Sequence, residues 1–133
     1  MDENDVVKQT CNLLEEQGLV IKKRLSTIER GVDIVAENPR NGNTTYVEAK
    51  GGTSSRIGSA RYGKPYSKSQ VFDRVAKGVF TCIRLRAQYP SRESSRILLS
   101  VPDERLFRSY LEPVFMELKE AGIEIMFVSN INT

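Results

Sequence analysis

The sequence predicts an α/β domain in the order helix, three strands, helix, strand, with a further helix and strand at the C-terminal end. Three observations predict it. Apolar residues recur at helical spacing over residues 3–17 and 67–88. Two alternating apolar–polar runs are joined by Pro39-Arg40-Asn41-Gly42, a hairpin signal. An Ile97-Leu98-Leu99 run closed by Pro102 reads as a buried strand. At 133 residues the chain is expected to be one domain, 1–133, large enough for its own core.

The first helix, 3–17, places Val6, Val7, Thr10, Leu13 and Leu14 on one face, and Gly18 ends it. Glu3 is in phase with that face. An acid turned inward needs a cation or a partner; stabilisation of the helix N-terminus is the other reading. Leu19 to Leu25 is a strand at or near an edge, since Lys22, Lys23 and Arg24 crowd it. In 31–37, Val32, Ile34 and Ala36 point one way and Asp33, Val35 and Glu37 the other. In 44–50, Val47 and Ala49 oppose Tyr46, Glu48 and Lys50. A loop centred between Arg40 and Asn41 pairs Asp33 with Glu48. A tighter turn on Asn41-Gly42 pairs Asp33 with Lys50 instead. Both leave Asp33, Glu48 and Lys50 on one face.

Residues 51–67 form a long polar loop leaving directly from Lys50. It carries Gly, Ser and Thr, cations, and Tyr62 and Tyr66 for stacking. A plain connector is the alternative. The second helix spans Ser67 to Gln88 with Val71, Val75, Val79 and Ile83 as its apolar stripe. Ser67 is its candidate N-cap, and Ser67, Gln70, Arg74 and Lys77 share another face. Arg96 to Val101 is the fourth strand. A helix over Asp103 to Ala121 is expected to break at Pro113, with Leu106, Leu111, Val114, Phe115 and Leu118 as contacts. Ile123 to Val128 is the last strand.

The chemistry concentrates in the hairpin. Two like charges opposed across a sheet destabilise it, and a divalent cation removes that repulsion. Mg²⁺ is held by one or two carboxylates plus waters and phosphate oxygens, and it can activate water at a phosphodiester. Lys50 would orient that water or stabilise developing charge. The bland reading is a surface hairpin with an acid–lysine pair.

Composition narrows the chemistry. The absence of histidine removes Ser-His-Asp triads, histidine-base nucleases and histidine-containing zinc sites. Cys11 and Cys82, the only cysteines, cannot form a four-ligand zinc site and are expected as buried free thiols, which suits a cytoplasmic location. No run approaches membrane-spanning length and no signal-peptide pattern opens the chain, so no membrane role is expected. The net charge of +3 is uneven: residues 51–77 hold Arg56, Arg61, Lys64, Lys68, Arg74 and Lys77 against Asp73 alone. A basic patch beside an acidic site suits a phosphate-backbone substrate. A solvated charged face is the alternative.

Asp33 with Glu48-Ala49-Lys50, placed on this helix–three-strand–helix–strand order over residues 1–101, resembles the PD-(D/E)xK nuclease superfamily, nearest to its Holliday-junction-resolvase and Mrr-like branch. Val32 stands where the family name has proline. The resemblance implies a restriction-endonuclease-like αβββαβ core with a mixed central sheet flanked by helices. It implies a Mg²⁺-dependent DNA endonuclease (a deoxyribonuclease), with Mn²⁺ as a possible substitute, no organic cofactor, and duplex or branched DNA as substrate. Catalytic roles fall on Asp33, Glu48, Lys50 and Gln70. Metal-binding roles fall on Asp33, Glu48, the Ala49 carbonyl and Glu3. Arg56, Arg61, Lys64, Ser67, Lys68, Arg74 and Lys77 would meet the backbone. A homodimer is implied, although no dimer surface is legible. The alternatives are a non-catalytic nucleic-acid-binding module of the same fold, or a protein-interaction domain using the basic loop 51–68.

Overall fold

A computed structural model describes residues 1–25, 31–53 and 64–130. Helix α1 (Glu3–Glu16) starts at Asp2, which forms a capping box with Asp5: each carboxylate accepts the other's backbone N–H, at 2.8 and 3.0 Å. Gly18, with φ +89°, ends it where a side chain would be strained. The chain then enters β1 (Val20–Arg24), β2 (Ile34–Glu37) and β3 (Thr44–Ala49), an antiparallel meander. Helix α2 (Lys68–Gln88) crosses over to β4 (Ser95–Pro102), parallel to β3. Helix α3 (Arg105–Leu111), a 3₁₀ turn (Glu112–Val114) and α4 (Phe115–Glu120) lead to β5 (Ile123–Val128), parallel to β4. The mixed sheet has the order β1-β2-β3-β4-β5, so the lysine-rich first strand is at an edge, as expected. The 3₁₀ turn at Pro113 is the expected break in the third helix.

Helices cover both faces. Val6, Val7, Cys11 and Leu14 of α1 pack on Ile34, Ala36, Val47, Ala49 and Leu98. Val71, Val75, Cys82 and Leu85 of α2, with Phe107, Leu111 and Leu118, pack on Ile97, Leu99, Val101 and Ile123. Three expected contacts are corrected. Ile83 is exposed, because the buried line of α2 passes through Gly78, Cys82 and Leu85. Val114 and Phe115 are also exposed, because the 3₁₀ turn shifts the phase after Leu111, so that on the following helix Leu118 is the residue that faces inward.

Long-range polar contacts tie these layers together. The buried Thr10 hydroxyl donates to the Val6 carbonyl at 2.6 Å and shares a second 2.6 Å bond with the Ser100 hydroxyl on β4. The Arg86 guanidinium bonds the carbonyls of Tyr89, Ser95 and Gly122, closing the end of α2 onto the turns before β4 and β5. Cys11 and Cys82 are buried free thiols. No helix among the described residues is long and apolar enough to cross a membrane.

Candidate active site

The hairpin register decides where the carboxylates meet. Ile34 pairs with Val47 and Val35 with Tyr46, so one step outward sets Asp33 opposite Glu48, the first of the two expected registers. The Asp33 Oδ2 accepts the Ala49 N–H at 2.8 Å, which holds the side chain at the end of β3. The Ala49 carbonyl leaves the strand on the same edge as that N–H. Strand alternation turns Tyr46, Glu48 and Lys50 toward α2, while Val47 and Ala49 pack under α1.

Burial, then a hydrogen bond to Asp33 and the charge of Asp33, push the Glu48 carboxyl up to about 8; Lys50 and the Thr81 hydroxyl act in the opposite direction. Glu3 is raised first by burial and then by Asp33, while Lys50 and Arg74 lower it. Glu3, Asp33, Glu48, Lys50 and Arg74 therefore occupy one electrostatic neighbourhood. Two glycines allow this crowding. A Cβ on Gly51 would lie 2.3 Å from the Glu3 backbone nitrogen, so only glycine lets the start of α1 close on the end of β3. A Cβ on Gly78 would lie 3.3 Å from the Lys50 Cγ and 2.8 Å from the Leu99 Cδ1, so the lysine stem passes under α2 where the helix has no side chain. Burial, followed by the charge of Glu48, pushes the Cys82 thiol up to about 12. It remains a neutral thiol at the wall of the site rather than a nucleophile.

Among the described residues, no group of three or more His, Cys, Asp and Glu side chains is arranged to hold a metal ion. Glu3 is therefore a charge neighbour of Asp33 and does not complete a three-acid ligand set. Asp33, Glu48 and the Ala49 carbonyl are the oxygen donors of the expected metal set that the strand geometry leaves together.

The remaining expected residues are spread along α2. Ser67 caps it, accepting the Gln70 N–H. The Gln70 Oε1 accepts the Ser67 N–H at 2.8 Å, so that oxygen closes a capping box instead of facing the carboxylates. Arg74 lies 5.0 Å from the centroid of the Tyr66 ring and bonds its hydroxyl at 3.0 Å. Lys64, Lys68 and Lys77 are exposed. The long loop is closed at its base by a Thr53–Pro65 bridge and a 2.9 Å bond from the Tyr66 N–H to the Gly52 carbonyl. Arg56, Arg61 and Tyr62 lie outside the described residues. Sequence reasoning missed Thr81, Arg84 and Gln88, which line a pocket of about 270 Å³ with Glu48, Val32 and Leu85. They continue the polar stripe of α2 beyond Lys77, and that spacing is the signal that finds them.

Comparison with known protein families, with curated proteins and with solved structures returns no match to this chain.

Proposed function

We propose that this domain is a metal-dependent nuclease of the restriction-endonuclease-like class, hydrolysing phosphodiester bonds in DNA. The observation that carries the reading is the apposition of Asp33 and Glu48, with Lys50 two residues further on the same strand face. Glu48, whose proton affinity is raised by burial and by the Asp33 opposite it, forms with that residue a pair that a hard divalent cation would relieve. The element order and the mixed sheet with helices on both faces also support it.

Asp33, Glu48 and the Ala49 carbonyl would hold Mg²⁺ or Mn²⁺, with waters and a phosphate oxygen completing the shell. The bound cation would supply Lewis-acid polarisation of the phosphate and a more acidic water. The Ala49 N–H fixes the Asp33 carboxylate, and Thr81 lines the same pocket as Glu48. Lys50, held against Gly78, would orient the attacking water and carry positive charge toward the phosphate. Glu3 adds negative charge behind Asp33. Lys64, Lys68, Arg74 and Lys77 would bind the backbone of the strand, and Arg56 and Arg61 are assigned to the same task from the sequence.

The test is cleavage of supercoiled and branched DNA with Mg²⁺ or Mn²⁺, comparing wild type with Lys50→Ala. Metal-dependent cutting lost in the variant supports the reading. Equal cutting by both removes Lys50 from the site. DNA binding in Ca²⁺ with no cutting by wild type would favour the non-catalytic binding module.

A further inference from the structure

Helix α2 carries Gln70, Arg74, Lys77, Thr81, Arg84 and Gln88 at alternating spacings of four and three, which keep them on one face. At 1.5 Å per residue that stripe is about 27 Å long. Its middle lies against the carboxylate strand, since Gly78 closes on the Lys50 stem and Thr81 lines one pocket with Glu48. Arg84 lies about one turn beyond Thr81, on the opposite side from Arg74 and Lys77.

The pocket there shares Glu48 as one wall, with Val32 and Leu85 apolar and Thr81, Arg84 and Gln88 polar. Among the described residues Glu48 is the one acidic residue of the lining, and it is paired across the hairpin with Asp33. Arg84 is exposed and makes no hydrogen bond or ion pair among the described residues. Arg86, two positions on, has its guanidinium bound by three carbonyls. The two arginines thus differ in kind: Arg86 holds the fold, and Arg84 presents an unpaired planar cation at the rim of a cleft next to the paired carboxylates. A guanidinium so placed matches a phosphate, and about 270 Å³ with one apolar wall suits a single nucleoside.

We propose that this pocket is the subsite for the nucleotide flanking the scissile phosphate, with Arg84 binding the neighbouring phosphate and the substrate strand lying along α2 on both sides of Asp33 and Glu48. The inference rests on the nuclease reading and deepens it. Contacts on both sides of the cut require chain on both sides, so the substrate is internal strand and the enzyme an endonuclease.

The experiment first maps the cut in Mg²⁺. Binding of fluorescent DNA is then measured in Ca²⁺, with single neutral methylphosphonates stepped across the mapped position, for wild type, Arg84→Ala and Lys77→Ala. One methylphosphonate beside the cut should weaken wild-type binding about tenfold. Arg84→Ala should weaken binding to unmodified DNA by a similar factor and no longer respond to that methylphosphonate. Its salt slope should fall by about 1. Lys77→Ala should lose its response on the other side of the cut. Unchanged binding by Arg84→Ala, or weakened binding that still responds to the same methylphosphonate, overturns the subsite. Wild-type sensitivity on one side of the cut alone overturns the two-sided strand even if a variant is damaged. The nuclease reading fails separately, through absent metal-dependent cutting or through cutting that survives Lys50→Ala.

Discussion

Replacing Glu48 with glutamine should make the metal-free protein more stable above pH 8 and leave it close to wild type near pH 4. In the folded chain the Glu48 carboxyl is pushed up to about 8 from an ordinary 4.5, by burial and by Asp33. The folded state therefore holds this proton more tightly than the unfolded state. The stabilisation is complete below the unfolded value of 4.5 and is lost as pH rises through about 8. At 1.36 kcal/mol per pH unit of displacement, the full loss is at most about 5 kcal/mol. Entry of water and side-chain relaxation lower this to a few kcal/mol, on the order of 10 °C in Tm for a chain of this size. Glutamine keeps the shape, donates to Asp33 and does not titrate. Urea unfolding of both proteins in chelator, from about pH 4 to pH 9, isolates the effect, because every other group titrates in both. The two stabilities should diverge steadily with pH. Adding Mg²⁺ at pH 8 should stabilise wild type more than Glu48→Gln. Parallel pH curves would refute the reasoning, since they would mean that Glu48 does not face Asp33 in a partly buried site.

Two further predictions concern the supports of the site. Gly51→Ala should displace the start of α1, because its Cβ meets backbone atoms of Asp2 and Glu3 at 2.3–2.9 Å; a loss of more than about 2 kcal/mol in chemical denaturation is expected. Thr10→Val should cost about 1–3 kcal/mol by leaving the buried Ser100 hydroxyl without its partner. The Thr10→Val/Ser100→Ala double variant should recover part of that loss in a thermodynamic cycle.

Much of the candidate site was legible because period-two alternation survives uncertainty about the turn. Either loop length placed Asp33, Glu48 and Lys50 on one face, and the observed pairing of Ile34 with Val47 selected between the two registers. The edge position of the first strand was legible from its lysines, and the break at Pro113 from proline's missing N–H. Helix phase was less secure. Val71 and Val75 are buried as expected but Ile83 is exposed, because the buried line of α2 runs on through Gly78, Cys82 and Leu85. Gln70 was placed by resemblance, whereas its local pattern, Ser67 followed three residues later by glutamine, is a capping-box signature and governs where its oxygen lies. The Thr10–Ser100 bond joins residues 90 apart, and no local pattern announces such a pair.

The bridge between Thr53 and Pro65 has a consequence for how this chain can vary. It sets the two ends of the intervening stretch side by side, anchored to the end of β3 and the cap of α2. The entropic cost of lengthening a stretch whose ends already meet grows only logarithmically, by about 0.6 kcal/mol for each doubling. New sequence could therefore be spliced between these two residues with little effect on the hairpin that carries Asp33 and Glu48. The fold separates the hairpin from the stretch between these two residues, and that junction is the natural place to graft a new segment.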